Sequence, residues 1–239
     1  MGVAVTRQGN LTVYLSSPGS QMHADHLSGM PVLLSYACWA EWLSHYETSF
    51  GRVMADSGAF SELNSGKKVD LSAYADWVRS RMAWLDAVAG LDDISGDWRR
   101  SLRNYEAFPE GFPTFHETDP PELLPELIAM ARQRGGWIGL GLLPPRHGKE
   151  AFVRSALAGM PPDLHVHGWA LREYAHLPRL DSVDSTNWFR DAWSVRNKFP
   201  WLTPAEAVGL IVKRYQRESR QTETSDPSAA QPDLFREQS

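Results

Sequence analysis

Three aspartates close short apolar segments of the chain, where they could act on one substrate together. The segments VMAD, AGLD and DSVD end in Asp56, Asp92 and Asp184. Two carboxylates at one edge of a domain can serve as nucleophile and acid or base at a glycosidic carbon. An Asp after a strand is also a common N-cap of the next helix, so each position has a structural alternative.

Histidines offer a second kind of chemistry. His165 and His167 would project to one side of a strand, and His116 with Asp184 could complete a metal site. The segment His23–His26 adds further candidate ligands. A metal-dependent hydrolase is therefore an alternative, although His116 could also be a structural histidine.

Eight short β-rich segments supply the framework for these residues. Each ends in a turn-forming or polar residue, as strands do where they open into loops. The predicted strands are Leu11–Leu15, Val32–Tyr36, Arg52–Ala55, Ala87–Leu91, Thr114–His116, Trp137–Leu142, Leu164–Gly168 and Leu180–Val183.

Amphipathic segments alternate with these strands. The predicted helices are Leu71–Asp86, with Asp70 as N-cap, Glu122–Arg134, Lys149–Gly159 and Thr203–Glu218. The alternation predicts a parallel α/β fold, and eight units favour a single-domain (β/α)8 TIM barrel over an open doubly wound sheet. We assign residues 1–218 to the barrel and residues 219–239 to a disordered polar tail.

In such a barrel, function belongs to the carboxyl ends of the strands. The segment DSGAFS, residues 56–61, follows the third strand. Two small residues and an aromatic predicted to be buried, Phe60, indicate backbone passing close under a ligand. This segment resembles the Asp-Ser-Gly-Gly-Phe-Gln motif of the tRNA-guanine transglycosylases and their DNA-modifying relatives, with Ala59 and Ser61 as departures.

The resemblance continues in order over roughly residues 50 to 190. The segment DAVAGLD is similar to the strand that ends in the family's base-recognising Asp, which would be Asp92. His116 stands where the family has a Gln that contacts the base. The segment WIGLGL, with Gly139 and Gly141, looks like the strand whose backbone amides face the heterocycle.

Two further segments complete the resemblance. His167 and Gly168 align with a Met-Gly segment of the family, and SVDS resembles the strand that carries its nucleophile, Asp184. The resemblance implies that Asp184 attacks C1′ of a nucleotide and that Asp56 is the general base. Ser57, Gly58 and Phe60 join the substrate-binding set on the same ground, and no cofactor or metal is implied.

Cysteine content decides between branches of this family. The tRNA-modifying members carry a zinc site of three cysteines and a histidine, which the single Cys38 cannot supply. The expected reaction is therefore replacement of guanine in DNA by a 7-substituted 7-deazaguanine, such as 7-cyano-7-deazaguanine, on a flipped or single-stranded base. An enzyme acting on tRNA is the closest alternative, and a non-enzymatic DNA- or clamp-binding adaptor is another.

Nucleic-acid binding must come from local patches, because the net charge is −5. Arg99, Arg100 and Arg103 after strand four, and Arg146 and Lys149 after strand six, could contact phosphates or simply form solvated helix faces. Tryptophans near the rim loops could stack on bases: Trp98, Trp169 and Trp188.

The tail contains one recognisable peptide. Residues Gln231–Phe235, QPDLF, resemble the peptides that bind the bacterial sliding clamp, which would deliver the protein to replicating DNA. The chain has neither an apolar signal region at its start nor a run of 18 apolar residues. A single cysteine fits a reducing compartment, so we expect a cytoplasmic location without membrane contact.

Overall fold

The computed structural model of the protein describes residues 11–60, 68–143 and 148–221. Ser61, Arg146 and the clamp-like peptide lie outside these ranges. The described part contains eight parallel strands: β1 Thr12–Ser16, β2 Pro31–Ser35, β3 Arg52–Asp56, β4 Ala87–Val88, β5 Thr114–His116, β6 Trp137–Gly141, β7 His165–Trp169 and β8 Ser182–Ser185. All eight predicted strands are confirmed, and only β4 is much shorter than expected.

The sheet closes into a (β/α)8 TIM barrel, as the sequence predicts. Its strand order is β4-β3-β2-β1-β8-β7-β6-β5. The two ends meet just beyond β4, where Ala89 forms a parallel bridge with Phe112 and Gly90 N–H donates to the Phe112 carbonyl oxygen at 2.9 Å. A Cβ on Gly90 would lie 2.7 Å from the ring of Tyr105, so the close approach at this seam requires glycine.

Helices surround the described strands. They are α1 Gln21–Asp25, α2 Leu71–Arg79, α3 Trp98–Ala107, α4 Leu124–Gln133, α5 Glu150–Gly159, α6 Trp188–Lys198 and α7 Pro204–Gln221. The four predicted helices correspond to α2, α4, α5 and α7. The Asp70 cap is confirmed, because its carboxylate accepts from Ala73 N–H at 2.8 Å. The predicted end of α2 is wrong, because the helix stops at Arg79 and a separate 3-10 turn spans Met82–Trp84. No helix in these ranges is long and apolar enough to cross a membrane.

Helix α7 begins with a reciprocal pair of hydrogen bonds. Thr203 Oγ1 accepts from Glu206 N–H at 3.3 Å, and the Glu206 carboxylate accepts from Thr203 N–H at 2.7 Å. This capping box satisfies two backbone donors at the helix start, which fixes where α7 leaves the preceding turn.

The barrel interior has an apolar side and a polar side. Tyr14, Leu33, Met54 and Phe112 pack inside the barrel, whereas the larger apolar cluster lies between the sheet and the helices. The polar side is formed by β5, β7 and β8. There Trp169 Nε1 on β7 donates to Thr114 Oγ1 on β5 at 3.0 Å, across the intervening strand β6.

Candidate active site

Two adjoining cavities open at the carboxyl ends of the strands. The smaller, which we call the recess, has a volume of about 80 Å³ and is lined by Asp92, His116 and Gly141. The larger, which we call the groove, has a volume of about 380 Å³ and is lined by Asp184. Their common wall consists of three side chains: Asp56, Phe60 and Trp169. The three aspartates singled out in the sequence therefore line two adjoining cavities at one rim.

Asp56 ends β3 between the two cavities. The pKa of Asp56 is raised from 3.8 to about 6, chiefly by burial and in addition by the negative charges of Asp92 and Asp184. A hydrogen bond from Gly58 N–H acts in the opposite direction but is outweighed. A carboxyl group with a pKa near 6 can both donate and accept a proton close to neutral pH.

The turn after Asp56 shapes the carboxylate's surroundings. Gly58 has a φ of +81°, and a Cβ there would lie 2.4 Å from the Ala37 side chain, so only glycine fits. Ser57 is buried, and its Oγ accepts from Ala59 N–H at 3.3 Å. Ser57 and Gly58 hold the turn in place without lining either cavity. The expectation that Phe60 is buried is wrong, since its side chain is 44% exposed and separates the recess from the groove.

Asp92 and His116 form an ion pair in the wall of the recess. His116 Nε2 lies 2.9 Å from Asp92 Oδ2, and Asp119 Oδ2 lies 3.8 Å from His116 Nδ1. Burial acts to lower the pKa of His116, but the two carboxylates outweigh it and raise the pKa to about 9. The imidazole is therefore a cation at neutral pH that holds Asp92 in position.

The two glycines of β6 make room for side chains from the neighbouring strands β5 and β7. A Cβ on Gly139 would lie 2.4 Å from Thr114 Oγ1 and 2.5 Å from Trp169 Nε1. A Cβ on Gly141 would lie 2.7 Å from the His116 ring. Gly141 lines the recess, whereas Gly139 lies outside the residues that line it.

Asp184 lies on the groove side, on β8. It is paired in register with Tyr14 of β1, and its Oδ1 accepts a short hydrogen bond from Ala170 N–H. Ala170 has a φ of 53°, an uncommon conformation for a residue other than glycine. The backbone after β7 is thus held in a strained form that fixes one oxygen of Asp184.

His167 and Gly168 lie beneath the rim and line neither cavity. His167 is fully buried, and burial lowers its pKa to about 3, so the ring is neutral. His167 Nδ1 and His165 Nε2 each lie 2.9 Å from Ser182 Oγ, so the two rings share one hydroxyl. A Cβ on Gly168 would lie 2.9 Å from Leu171.

The candidate metal ligands do not come together. Within residues 11–60, 68–143 and 148–221, no three His, Cys, Asp or Glu side chains lie close enough to hold a metal ion. His116 is held by the carboxylates of Asp92 and Asp119, and His165 and His167 are bound to Ser182.

The basic residues singled out near the rim differ in their availability. Arg99 and Arg103 are exposed on α3, and Arg99 stacks 4.3 Å from the centre of the Trp98 ring. Arg100 is paired with Asp93 at 2.8 Å, and Lys149 is paired with Glu117 at 3.0 Å. Two of the predicted phosphate-binding residues, Arg100 and Lys149, thus already have carboxylate partners within the protein.

Of the tryptophans expected near the rim, Trp169 lines the cavities and Trp188 belongs to the core. Trp169 lines both cavities and stacks on Phe112 with an interplanar angle of 16°. Trp188 is 3% exposed, and its Nε1 donates to the Ser16 carbonyl oxygen at 2.9 Å. The expectation that Trp188 stacks on a base is therefore wrong, because its ring is part of the core.

Sequence reasoning missed Asp119 and Ala170. The signal for Asp119 is its spacing of three residues from His116, which lets its carboxylate accept from His116 N–H at 2.7 Å. No local pattern distinguishes Ala170, whose role depends on β8 lying beside β7.

Comparison with known proteins assigns the chain to no family. No family model and no curated protein matches the sequence. Among solved structures, the chain is similar to the YdjI aldolase from Escherichia coli K12, with a TM-score of 0.43 and 13% sequence identity. The match covers 92% of this chain and 94% of that chain.

Proposed function

We propose that the protein is a transglycosylase that replaces guanine in DNA with a 7-substituted 7-deazaguanine, such as 7-cyano-7-deazaguanine. The observation that carries the proposal is the position of Asp56 in the wall common to the recess of Asp92 and the groove of Asp184. A base bound beside Asp92 would have its glycosidic bond near Asp56 and its sugar in the groove.

Recognition of the base falls to the recess. An ionised Asp92 accepts hydrogen bonds from the N1–H and amino group of a guanine-like heterocycle. The His116 cation lies 2.9 Å away and holds the Asp92 carboxylate in position for these contacts. A base without these donors leaves a buried carboxylate unpaired, which costs about 1 to 3 kcal/mol or more.

Exchange then proceeds in two displacements. The Asp184 carboxylate forms a bond to C1′ as the C1′–N9 bond breaks, and the departing guanine N9 takes the proton of Asp56. In the second step N9 of the incoming base attacks C1′ and releases Asp184, and its N9 proton returns to Asp56. Each step exchanges one bond at C1′ for another, so the reaction needs no oxidant or nucleotide energy source.

DNA is preferred over tRNA because of the cysteine content. The sequence resembles a family whose tRNA-modifying members use three zinc-binding cysteines, and this chain has Cys38 alone. The peptide at Gln231–Phe235 supports the same choice, since a clamp-binding segment would bring the protein to DNA. tRNA remains the second polymer in the test.

The deciding experiment is exchange of radiolabelled guanine and deazaguanine into DNA and into tRNA by the full chain. We expect label in DNA, and we expect Asp184→Asn to abolish it. Incubating DNA with the protein without incoming base should also yield a covalent protein–DNA adduct that is absent from Asp184→Asn. Failure to label either polymer would rule out the proposal, and labelling of tRNA alone would replace DNA with RNA as the substrate.

A further inference from the structure

Helices α1 and α6 share a surface on which aromatic and positively charged side chains are interleaved. Met22 is 57% exposed and Trp193 is 58% exposed, both unusual for large apolar residues. Phe189 and Trp193 are four residues apart, so they lie on one face of α6. We name as the α1–α6 surface the side chains of Met22, His23, His26, Phe189, Arg190, Trp193 and Arg196.

This surface adjoins the groove. Ser17 and Thr186 line the groove, and α6 begins two residues after Thr186. The Trp188 bond to the Ser16 carbonyl oxygen ties the two loops together, and the His23 ring lies 4.1 Å from the Phe189 ring. A polymer leaving the groove on this side therefore meets Phe189 and His23 first.

The His26 ring lies close to positively charged side chains. Its pKa is lowered by burial and by the positive charges of His23 and Arg196, while the negative charge of Asp25 acts in the opposite direction. Arg196 Nε is buried from solvent and has no acceptor among the residues that the structure describes. Like charges brought together in this way are stabilised by a bound anion.

The carboxylates beside this surface offset only part of its positive charge. Asp25 accepts from Tyr46 Oη at 2.8 Å, and Asp191 is paired with Arg214 at 2.8 Å. The Arg190 guanidinium is 75% exposed and reaches Asp191 only at 4.0 Å. The surface thus keeps positive charge, in contrast to the close pairs that Arg100 and Lys149 make near the rim.

We propose that the α1–α6 surface binds the DNA strand that flanks the nucleotide in the groove, with bases stacked on Trp193 and Phe189 and phosphates near Arg190 and Arg196. Alternating aromatic and basic side chains match the alternation of bases and phosphates along a single strand. A second copy of this chain is a poorer occupant, because self-association would place like charges against each other. This inference rests on the proposed function.

The test is fluorescence anisotropy of a labelled single-stranded DNA oligonucleotide that lacks guanine, and so cannot form the covalent adduct, bound to the full chain. Trp193→Ala should weaken binding about tenfold, the effect of losing one base–aromatic stack. Arg190→Ala should lower the slope of log affinity against log salt by about 0.7, as expected for one phosphate contact. The matched controls are Trp201→Ala, exposed in the turn after α6, and Arg154→Ala on α5, and both should bind like the unmodified protein.

Several results would overturn the inference. One is an affinity for DNA that Trp193→Ala leaves unchanged, and another is a loss of affinity in Trp201→Ala as large as that in Trp193→Ala. Tighter binding of RNA of the same sequence would also contradict it. So would a dimer of the unmodified protein that Trp193→Ala converts to a monomer in sedimentation, because the surface would then bind a second copy. The proposed function fails separately. DNA binding that depends on Trp193 without any base exchange would contradict the function alone, whereas exchange with an unchanged KM for DNA in Trp193→Ala would contradict the surface alone.

Discussion

The imidazolium of His116 lies between two carboxylates, with its Nε2 at 2.9 Å from Asp92 Oδ2 and its Nδ1 facing Asp119. All three side chains are largely withdrawn from solvent. The His116 cation thus faces two carboxyl groups and holds the Asp92 side chain at the wall of the recess. A neutral glutamine at position 116 could form a hydrogen bond but could not balance this charge.

His116→Gln is expected to destabilise the fold in a pH-dependent way. The folded-state pKa of His116, about 9, lies above the ordinary value of 6.5. The stabilisation is therefore complete below pH 6.5 and is lost as pH rises through 9. The difference in unfolding free energy should be about 3 kcal/mol at pH 6 and close to zero at pH 10, measured by urea denaturation. A difference that does not change with pH would contradict the ion pair.

Asp56→Asn should stabilise the protein while removing its activity. The ionised form of Asp56 is disfavoured in the folded state, because its pKa rises from 3.8 to about 6. The unmodified protein therefore loses stability as pH rises from 4 to 6, and the asparagine variant does not. We expect a gain of about 2 to 3 kcal/mol at pH 7 and none at pH 3.5, measured by denaturant unfolding at both pH values. If Asp56→Asn were less stable than the unmodified protein at pH 7, ionisation of Asp56 would not destabilise the folded state.

Gly141→Ala tests whether position 141 of β6 must lack a side chain so that the His116 ring can pack beside it. The added Cβ would lie 2.7 Å from the ring, so the imidazole must move away from Asp92. We expect a large rise in KM for the incoming base. We also expect a fall in the pKa of His116, which NMR titration measures. Gly159→Ala is the matched control, because its Cβ would meet only the mobile end of Leu124 at 3.2 Å. Equal effects in both variants would assign the loss to general destabilisation.

The sequence predicts the barrel and the meeting of the aspartates, because carboxyl ends of parallel strands share one rim. It does not predict α3 and α6 as helices, because each has only two buried residues and therefore a weak apolar periodicity. These are Ser101 and Tyr105 in α3, and Trp188 and Ala192 in α6. Nor does it predict the exposure of Phe60 or the pairing of His116, which depend on contacts between elements distant in the chain. Residue types at strand ends are encoded locally, whereas their partners are set by packing.

Asp184→Asn is expected to lower the pKa of Asp56. The negative charge of Asp184 is one of the causes that raise this pKa, and the substitution removes it. Carbon-13 NMR titration of the aspartate carboxyls gives the measurement, with the exposed Asp163→Asn as a control that should leave the Asp56 pKa unchanged. An unshifted pKa in Asp184→Asn would mean that the two carboxylates do not interact across the shared wall.

In the proposed exchange, the same interaction would control when Asp56 donates a proton and when it accepts one. When Asp184 is esterified to C1′ it carries no charge, as in the asparagine variant, so Asp56 becomes more acidic and stays ionised to lower pH than in the free protein. It is then ready to accept the proton of the incoming base, whereas the free enzyme, with Asp184 charged, holds that proton more firmly for the departing guanine. Release of guanine should therefore slow as pH rises above 6 in single-turnover experiments, while incorporation from the trapped adduct should persist to lower pH. If both half-reactions showed the same pH midpoint, the charge of Asp184 would have no part in controlling Asp56.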